Sequence, residues 1–278
     1  MQPNGPTAST RTNGDAMILV SRRPQPALAT LVEQFWYCAA YAPPHASERV
    51  LPTGTVQLII KLGSGTQPSN APLVCGPRST CSIIDSKSQS ATLGVHFKPG
   101  GAYPFLGLPL DELHNTNLSL EALWGRKANE LYDRLLEAKS PTELFEILER
   151  LLIARTHSSR CKSHPAVALA LREFHRVPHE ATIAEVAELA GLSARHFIQR
   201  FREEVGVTPK LHCRIRRFQT AMNFIRQPRQ VDWTNLAMSC GYYDQAHFIN
   251  EFRMFSGLTP TEYLWQKGEH LNHVAILD

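Results

Sequence analysis

The chain is short of almost everything that marks a secreted protein, a membrane protein or a metalloenzyme. Its apolar runs, such as Val56–Ile60, fall far below the roughly 20 residues of a membrane span. No charged start followed by an apolar core resembles a signal peptide. Six cysteines in 278 residues include no C-x-x-C pair, and the nearest neighbours are Cys75 and Cys81. Free thiols in a reduced, cytoplasmic protein are therefore expected rather than a disulfide scaffold. Cys38, Cys75 and Cys81 lack a neighbouring His or Lys pattern that would activate a thiolate. The β-rich part offers only His45 and His96, with His114 beyond, too scattered for a barrel-type metal site. No catalytic residue, metal or cofactor is expected. Charge of one sign is scarce too. Residues 1–159 carry 14 Lys/Arg against 13 Asp/Glu, residues 160–278 carry 15 against 12, and the net charge is +4. Charge by itself singles out no partner.

What is there is an internal repeat. Gly191-Leu-Ser-Ala-Arg-His-Phe197 to Pro209 returns as Gly241-Tyr-Tyr-Asp-Gln-Ala-His-Phe248 to Pro260. At an offset of 51, Phe197, Phe201, Gly206 and Thr208-Pro209 meet Phe248, Phe252, Gly257 and Thr259-Pro260. The lead-ins agree at an offset of 50, so the second turn holds one extra residue. A repeat of this size organises the rest of the reading.

In chain order, 1–15 is polar, rich in Pro, Gly, Ser and Thr, and expected to be disordered. Met17, directly before Ile18-Leu-Val, is an alternative start to Met1. From 16 to about 98 short β-branched and aromatic runs alternate with Gly, Pro and Ser turns, which predicts a small sandwich or barrel. A helical stretch is expected over Ala27–Glu33, and strands over Phe35–Ala40, Val56–Lys61, Leu73–Cys75, Cys81–Ile84 and Ala91–Phe97. Helices follow, including one opened by Ser140-Pro-Thr-Glu143, and the first domain closes near 156. A polar linker at 157–163 leads to an all-helical domain at 164–267, with 268–278 as a tail. The fold class is thus α+β in two domains: a β-rich N-terminal domain with flanking helices, and an all-α domain of two helix-turn-helix units joined by a long helix.

Each repeat copy has the parts of a DNA reader: a short helix, a tight Gly turn, and a second helix apolar inside and polar outside. In the first copy Phe197, Phe201 and Val205 are expected to bury against Val186, Ala187 and Leu189. That leaves Arg195, Ile198 and Gln199 as base-reading candidates. In the second copy Phe248, Phe252 and Phe255 are the buried set, and Gln245, Ala246, Ile249 and Asn250 are the outward candidates. Arg, Gln and Asn can form paired hydrogen bonds with base edges. Local bonding or solvated surface is the competing reading for the His and polar positions, and packing for Ile198. The helix from Pro209 to Arg226 spans about 27 Å, against about 34 Å between successive major grooves on one face. Lys210, Arg214 and Arg217 lie off its apolar stripe and, with Arg202, Arg253 and His247, are the phosphate-contact candidates.

The runs Thr182-Ile-Ala-Glu-Val-Ala187, Gly191-Leu-Ser193, Phe201 to Pro209 and Gly241 to Pro260 resemble the DNA-binding domain of the AraC/XylS family of bacterial transcription regulators. That resemblance implies two DNA-reading helices, ending in Val205 and Phe255, set in a sequence-specific regulator. Leu51-Pro-Thr-Gly54 and Gly94-Val-His-Phe-Lys-Pro-Gly-Gly101 resemble the sensor-like segment attached to some members. Gln199 and Asn250 stand where the family commonly has Arg, and Arg200 where it is often apolar, so base preference does not carry over. The implied partners are double-stranded promoter DNA, an unidentified small-molecule effector, RNA polymerase and a second copy of the chain, with no membrane. The implied location is the cytoplasm, at the nucleoid. The alternative is a protein-interaction regulator with weak or non-specific DNA binding.

Overall fold

The computed structural model describes residues 7–8, 17–41, 43, 45–63, 71–86, 91–158, 161–176, 182–227, 231–266, 268 and 272–276. Its N-terminal half is built on strands β1 (Thr7–Ala8), β2 (Ile18–Arg22), β3 (Val32–Ala39), β4 (Ser47–Val50), β5 (Gln57–Leu62), β6 (Leu73–Cys75), β7 (Ser82–Asp85), β8 (Ala91–Phe97) and β9 (Asn117–Ser119). Seven of them pair antiparallel in the order β1-β2-β3-β8-β5-β6-β9. The expected disorder over 1–15 lies outside the described residues apart from β1. The helix expected over Ala27–Glu33 shrinks to one 3-10 turn, Pro26–Leu28, because Val32 already pairs with Phe97 in the sheet. A β-branched Val with a strand partner outweighs a weak local helical tendency.

Helices α1 (Tyr103–Leu106), α2 (Leu120–Trp124), α3 (Arg126–Glu137) and α4 (Pro141–Ser158) cover one face of this sheet. Alternate sheet residues Phe35, Leu58, Ile60, Leu93 and Val95 bury against Leu131, Leu135, Phe145 and Leu148. Phe35 and Phe145 rings lie 6.1 Å apart. The Ser140 cap is real, with Glu143 N–H donating to its hydroxyl at 3.3 Å, while the Glu143 carboxylate reaches back to the Lys139 N–H.

The C-terminal half holds α5 (Pro165–Arg176), α6 (Ile183–Leu189), α7 (Ala194–Val205), α8 (Pro209–Ile225), α9 (Trp233–Ser239), α10 (Gln245–Ser256) and α11 (Pro260–Gln266). Thr182, Ser193, Thr208, Asp232 and Asp244 each accept a backbone N–H of their helix's first turn. These caps satisfy donors a helix start leaves open.

The stretch expected to be a tail is instead a strand, β10 (His273–Ile276), paired antiparallel with β4, which also pairs β7. Strand β10 thereby ties the two halves together. Buried Glu48 on β4 accepts hydrogen bonds from Tyr41, His45 and, at 2.8 Å, His273 of β10. Burial pushes its pKa up, but those three hydrogen bonds outweigh it and hold the carboxyl at about 2. The turn Leu51–Gly54 completes the joint. Leu51 enters the core around Phe218 and Phe252, and Pro52 O accepts from Gln219 at 2.8 Å.

Candidate nucleic-acid interface

The two repeat copies are closed by the same hydrogen bonds. Leu192 N–H donates to Ala187 O at 3.0 Å, and Tyr242 N–H to Ala237 O at 2.9 Å. Both turns need a left-handed residue, supplied by Gly191 at φ 68° and Gly241 at φ 78°. The two second helices end alike as well: Gly206 and Gly257 each donate N–H at 2.8 Å, to Arg202 O and Arg253 O. The extra residue of the second turn is Tyr243, which is 89% exposed.

Beneath these turns sit two aromatic cores. Phe197, Phe201, Val205, Val186 and Ala187 are buried with Phe174 of α5. Phe248, Phe252 and Phe255 are buried with Phe218 and Met222 of α8. Leu189, expected inside, is 64% exposed. It lies about 110° round the helix from the centre of the Val186–Ala187 face, which carries it to solvent.

On the outer faces Arg195, Gln199 and Arg202 of α7 are exposed, as are Ala246, Asn250 and Arg253 of α10. At the repeat offset these are equivalent triplets. Ile198 and Ile249 are half-buried and pack on their respective cores. Gln199 donates to Glu203 at 3.0 Å, and Gln245 accepts from the Thr234 hydroxyl at 3.0 Å. Lys210 is exposed at the start of α8. His247 accepts from Tyr243 N–H at 3.3 Å and stands 3.8 Å from Glu251.

Arg214 and Arg217 are engaged elsewhere. Arg214 Nε donates to Glu251 Oε1 at 2.6 Å, and Arg217 Nη2 to Oε2 at 3.2 Å. Arg217 also donates to Gly241 O at 3.1 Å and lies over the Tyr242 ring. Glu251, 5% exposed, thus locks α10 to the connecting helix α8. The sequence reading missed it, although a lone acid on α10 facing two arginines at 214 and 217 was the available signal.

Among the described residues copy one has no such lock. Its equivalent of Glu251 is Arg200, exposed and paired with Glu203 at 3.2 Å, and its equivalent of Phe255 is buried Glu204. Burial pushes the Glu204 carboxyl up to about 7, although it accepts from His164 N–H at 2.9 Å. Beside the same core His212 is pushed down to about 3 by burial and then by Arg216. A 3-10 turn of the N-terminal domain, Leu110–Leu113, lies against α7, and Arg202 pairs with its Asp111 at 3.1 Å. Asp111 and Glu112 also went unnoticed in the sequence; two adjacent acids behind Pro109 were the only trace.

No group of three or more metal-ligating side chains occurs among the described residues, and no described helix is long and apolar enough to cross a membrane.

Residues 186–266 match a family described as a helix-turn-helix domain, and residues 21–119 match a domain of unknown function, DUF6597. A probable transcriptional regulator, LumQ of Photobacterium leiognathi, is 30% identical over 82 residues, 30% of this chain and 33% of that protein. The XylDLEGF operon transcriptional activator 3 of Pseudomonas putida is 26% identical over 168 residues, 59% of this chain and 46% of that one. The transcriptional regulator GadX of Escherichia coli K12 is 31% identical over 101 residues, 36% of this chain and 35% of that one. The chain thus spans a third to a half of the length of these relatives. Its C-terminal part matches a helix-turn-helix domain, and most of its β-rich part matches DUF6597.

Proposed function

We propose that this chain, with its AraC-type domain, regulates transcription by sequence-specific binding of duplex DNA through two readers, under control of its N-terminal domain. Arg195, Ile198 and Gln199 read bases for α7, and Gln245, Ala246, Ile249 and Asn250 for α10. Arg202, Lys210, Arg253 and His247 meet phosphates. Arg214 and Arg217 position α10 through Glu251 rather than reach for DNA. RNA polymerase and a second copy of the chain are the protein partners this reading invites, a small molecule its effector, and no catalysis is assigned.

The observation that carries this reading is the duplicated unit, closed by matched hydrogen bonds and spaced by one continuous helix. The 17 residues of α8 span about 25 Å at the helical rise. That length, with a reader at either end, suits major grooves about 34 Å apart. The test is selection of duplexes from a random pool by the full chain, followed by footprinting at about 150 mM salt. Selected duplexes are expected to bind about 1,000-fold tighter than scrambled ones. Equal affinity for both would reject specific reading and leave the protein-interaction alternative standing.

A further inference from the structure

We infer that the N-terminal domain holds the first reader shut. Its segment Pro109–Leu113 occupies the DNA-facing side of α7 and has to leave before that helix can enter a groove. This rests on the regulator reading given above, and adds how the two readers are set against each other.

The segment is a fixed wall. Leu110 and Leu113 are buried in the N-terminal core, which leaves Asp111 half-buried and Glu112 exposed towards α7. Pro109, Asp111 and Glu112 form one side of a cleft of about 550 Å³ whose other side is Arg195, Ile198, Gln199, Arg202 and Glu203. The first four on that other side are the side chains assigned above to meet DNA. Asp111 Oδ2 lies 3.1 Å from Arg202 Nη2, an anionic oxygen where a phosphate oxygen would otherwise sit. The approach is close as well as complementary: a Cβ added at Gly206 would stand 2.9 Å from Leu110 O and 2.5 Å from Pro77. A helix reads bases only when it can lie in a groove about 12 Å wide between two phosphate rails. With the acidic turn in place, one rail has no room. The equivalent side chains of α10, namely Ala246, Asn250 and Arg253, are all exposed and none of them lines that cleft. The protein in this state is a one-handed reader.

Asp111→Lys/Glu112→Lys tests this, compared with Asp133→Lys/Glu130→Lys, which makes the same charge change on the exposed side of α3. Each variant of the 278-residue chain is footprinted on duplexes selected by the unaltered chain. The expected result is protection lengthened by about one helical turn, about 10 base pairs, with binding at least about tenfold tighter than for the charge-matched control. Asp111→Asn/Glu112→Gln, which keeps the shape of the turn, is expected to move both readouts the same way and guards against a misfolded variant. An unchanged footprint with affinity equal to the control overturns the inference. If no duplex is enriched by any of the proteins, the regulator reading fails. The inference is then still decided on a random 40-base-pair duplex, where freeing α7 steepens the log–log salt dependence by about two units over the control. No steepening there overturns it too.

Discussion

The two helix-turn-helix copies share their turns, caps and aromatic cores, yet they are held by different charges. Copy two carries its acid inside: Glu251 gathers Arg214 and Arg217 and makes α8 and α10 one body. In copy one the buried acid, Glu204, meets a backbone N–H instead of an arginine. The acid that takes an arginine lies outside, on the neighbouring domain, where Asp111 pairs with Arg202. An internal acid stiffens a reader and leaves its outer face open. An external acid covers the reader and makes its availability depend on how the domains are set. If the N-terminal domain holds the first reader shut, as inferred above, two scaffolds with matched turns, caps and cores serve as a constant arm and a switchable arm.

The largest effect on this comparison is expected from its shared part. Phe201→Ala and Phe252→Ala each remove a fully buried ring, and each is expected to lower stability by about 3–5 kcal/mol in denaturant melts. A loss under about 1 kcal/mol at one of them would mean the two cores are not equivalent. Next comes Glu251→Ala, which strands two partly buried guanidinium groups. It is expected to cost about 3 kcal/mol, and Arg200→Ala, at the matching exposed position, under about 0.5 kcal/mol. Similar losses at both sites would erase the contrast between internal and external acids.

The readers themselves should differ in a third way. Asn250→Ala is expected to relax base discrimination by about 1–3 kcal/mol in the wild-type background. Arg195→Ala and Gln199→Ala are expected to do so only once Asp111 and Glu112 have been replaced. Equal effects of all three in the wild-type background would show that both arms already read. The smallest effect is a pH dependence peculiar to copy one. A carboxyl whose pKa is raised from 4.5 to about 7 stabilises the fold fully below 4.5, and that stability is lost as pH rises to about 7. Glu204→Gln should therefore melt higher than wild type by at least about 2 °C at pH 8, with the gap closing at pH 5. A gap of the same size at both values would remove Glu204 from the account.

Much of the C-terminal half was legible because its information is local. A Ser, Thr or Asp before six of the seven helices, Gly at both repeat turns, and Phe at four-residue spacing all act within a few residues of themselves. Leu189 misled because apolar character was allowed to stand for facing direction, which the helix phase decides. The N-terminal half was readable only in outline. Val32 is a strand residue because Phe97 lies opposite it, and β4, with the polar run Ser-Glu-Arg-Val, is a strand because β7 flanks it on one side and β10, from 225 residues away, on the other. No window of sequence contains such pairings. Of the candidate interface, the outward triplets were readable from periodicity; that Arg214 and Arg217 turn inward was not, since it needs the distance to Glu251.

By itself the sequence determined the repeated scaffold: two caps, two turns and two aromatic faces, each fixed by contacts between residues close in the chain. Tertiary structure alone decided which outward side chains are free. An arginine is drawn to whatever carboxylate the fold brings within about 4 Å, and that neighbour came from 91 residues away for exposed Arg202 and 34 for half-buried Arg217.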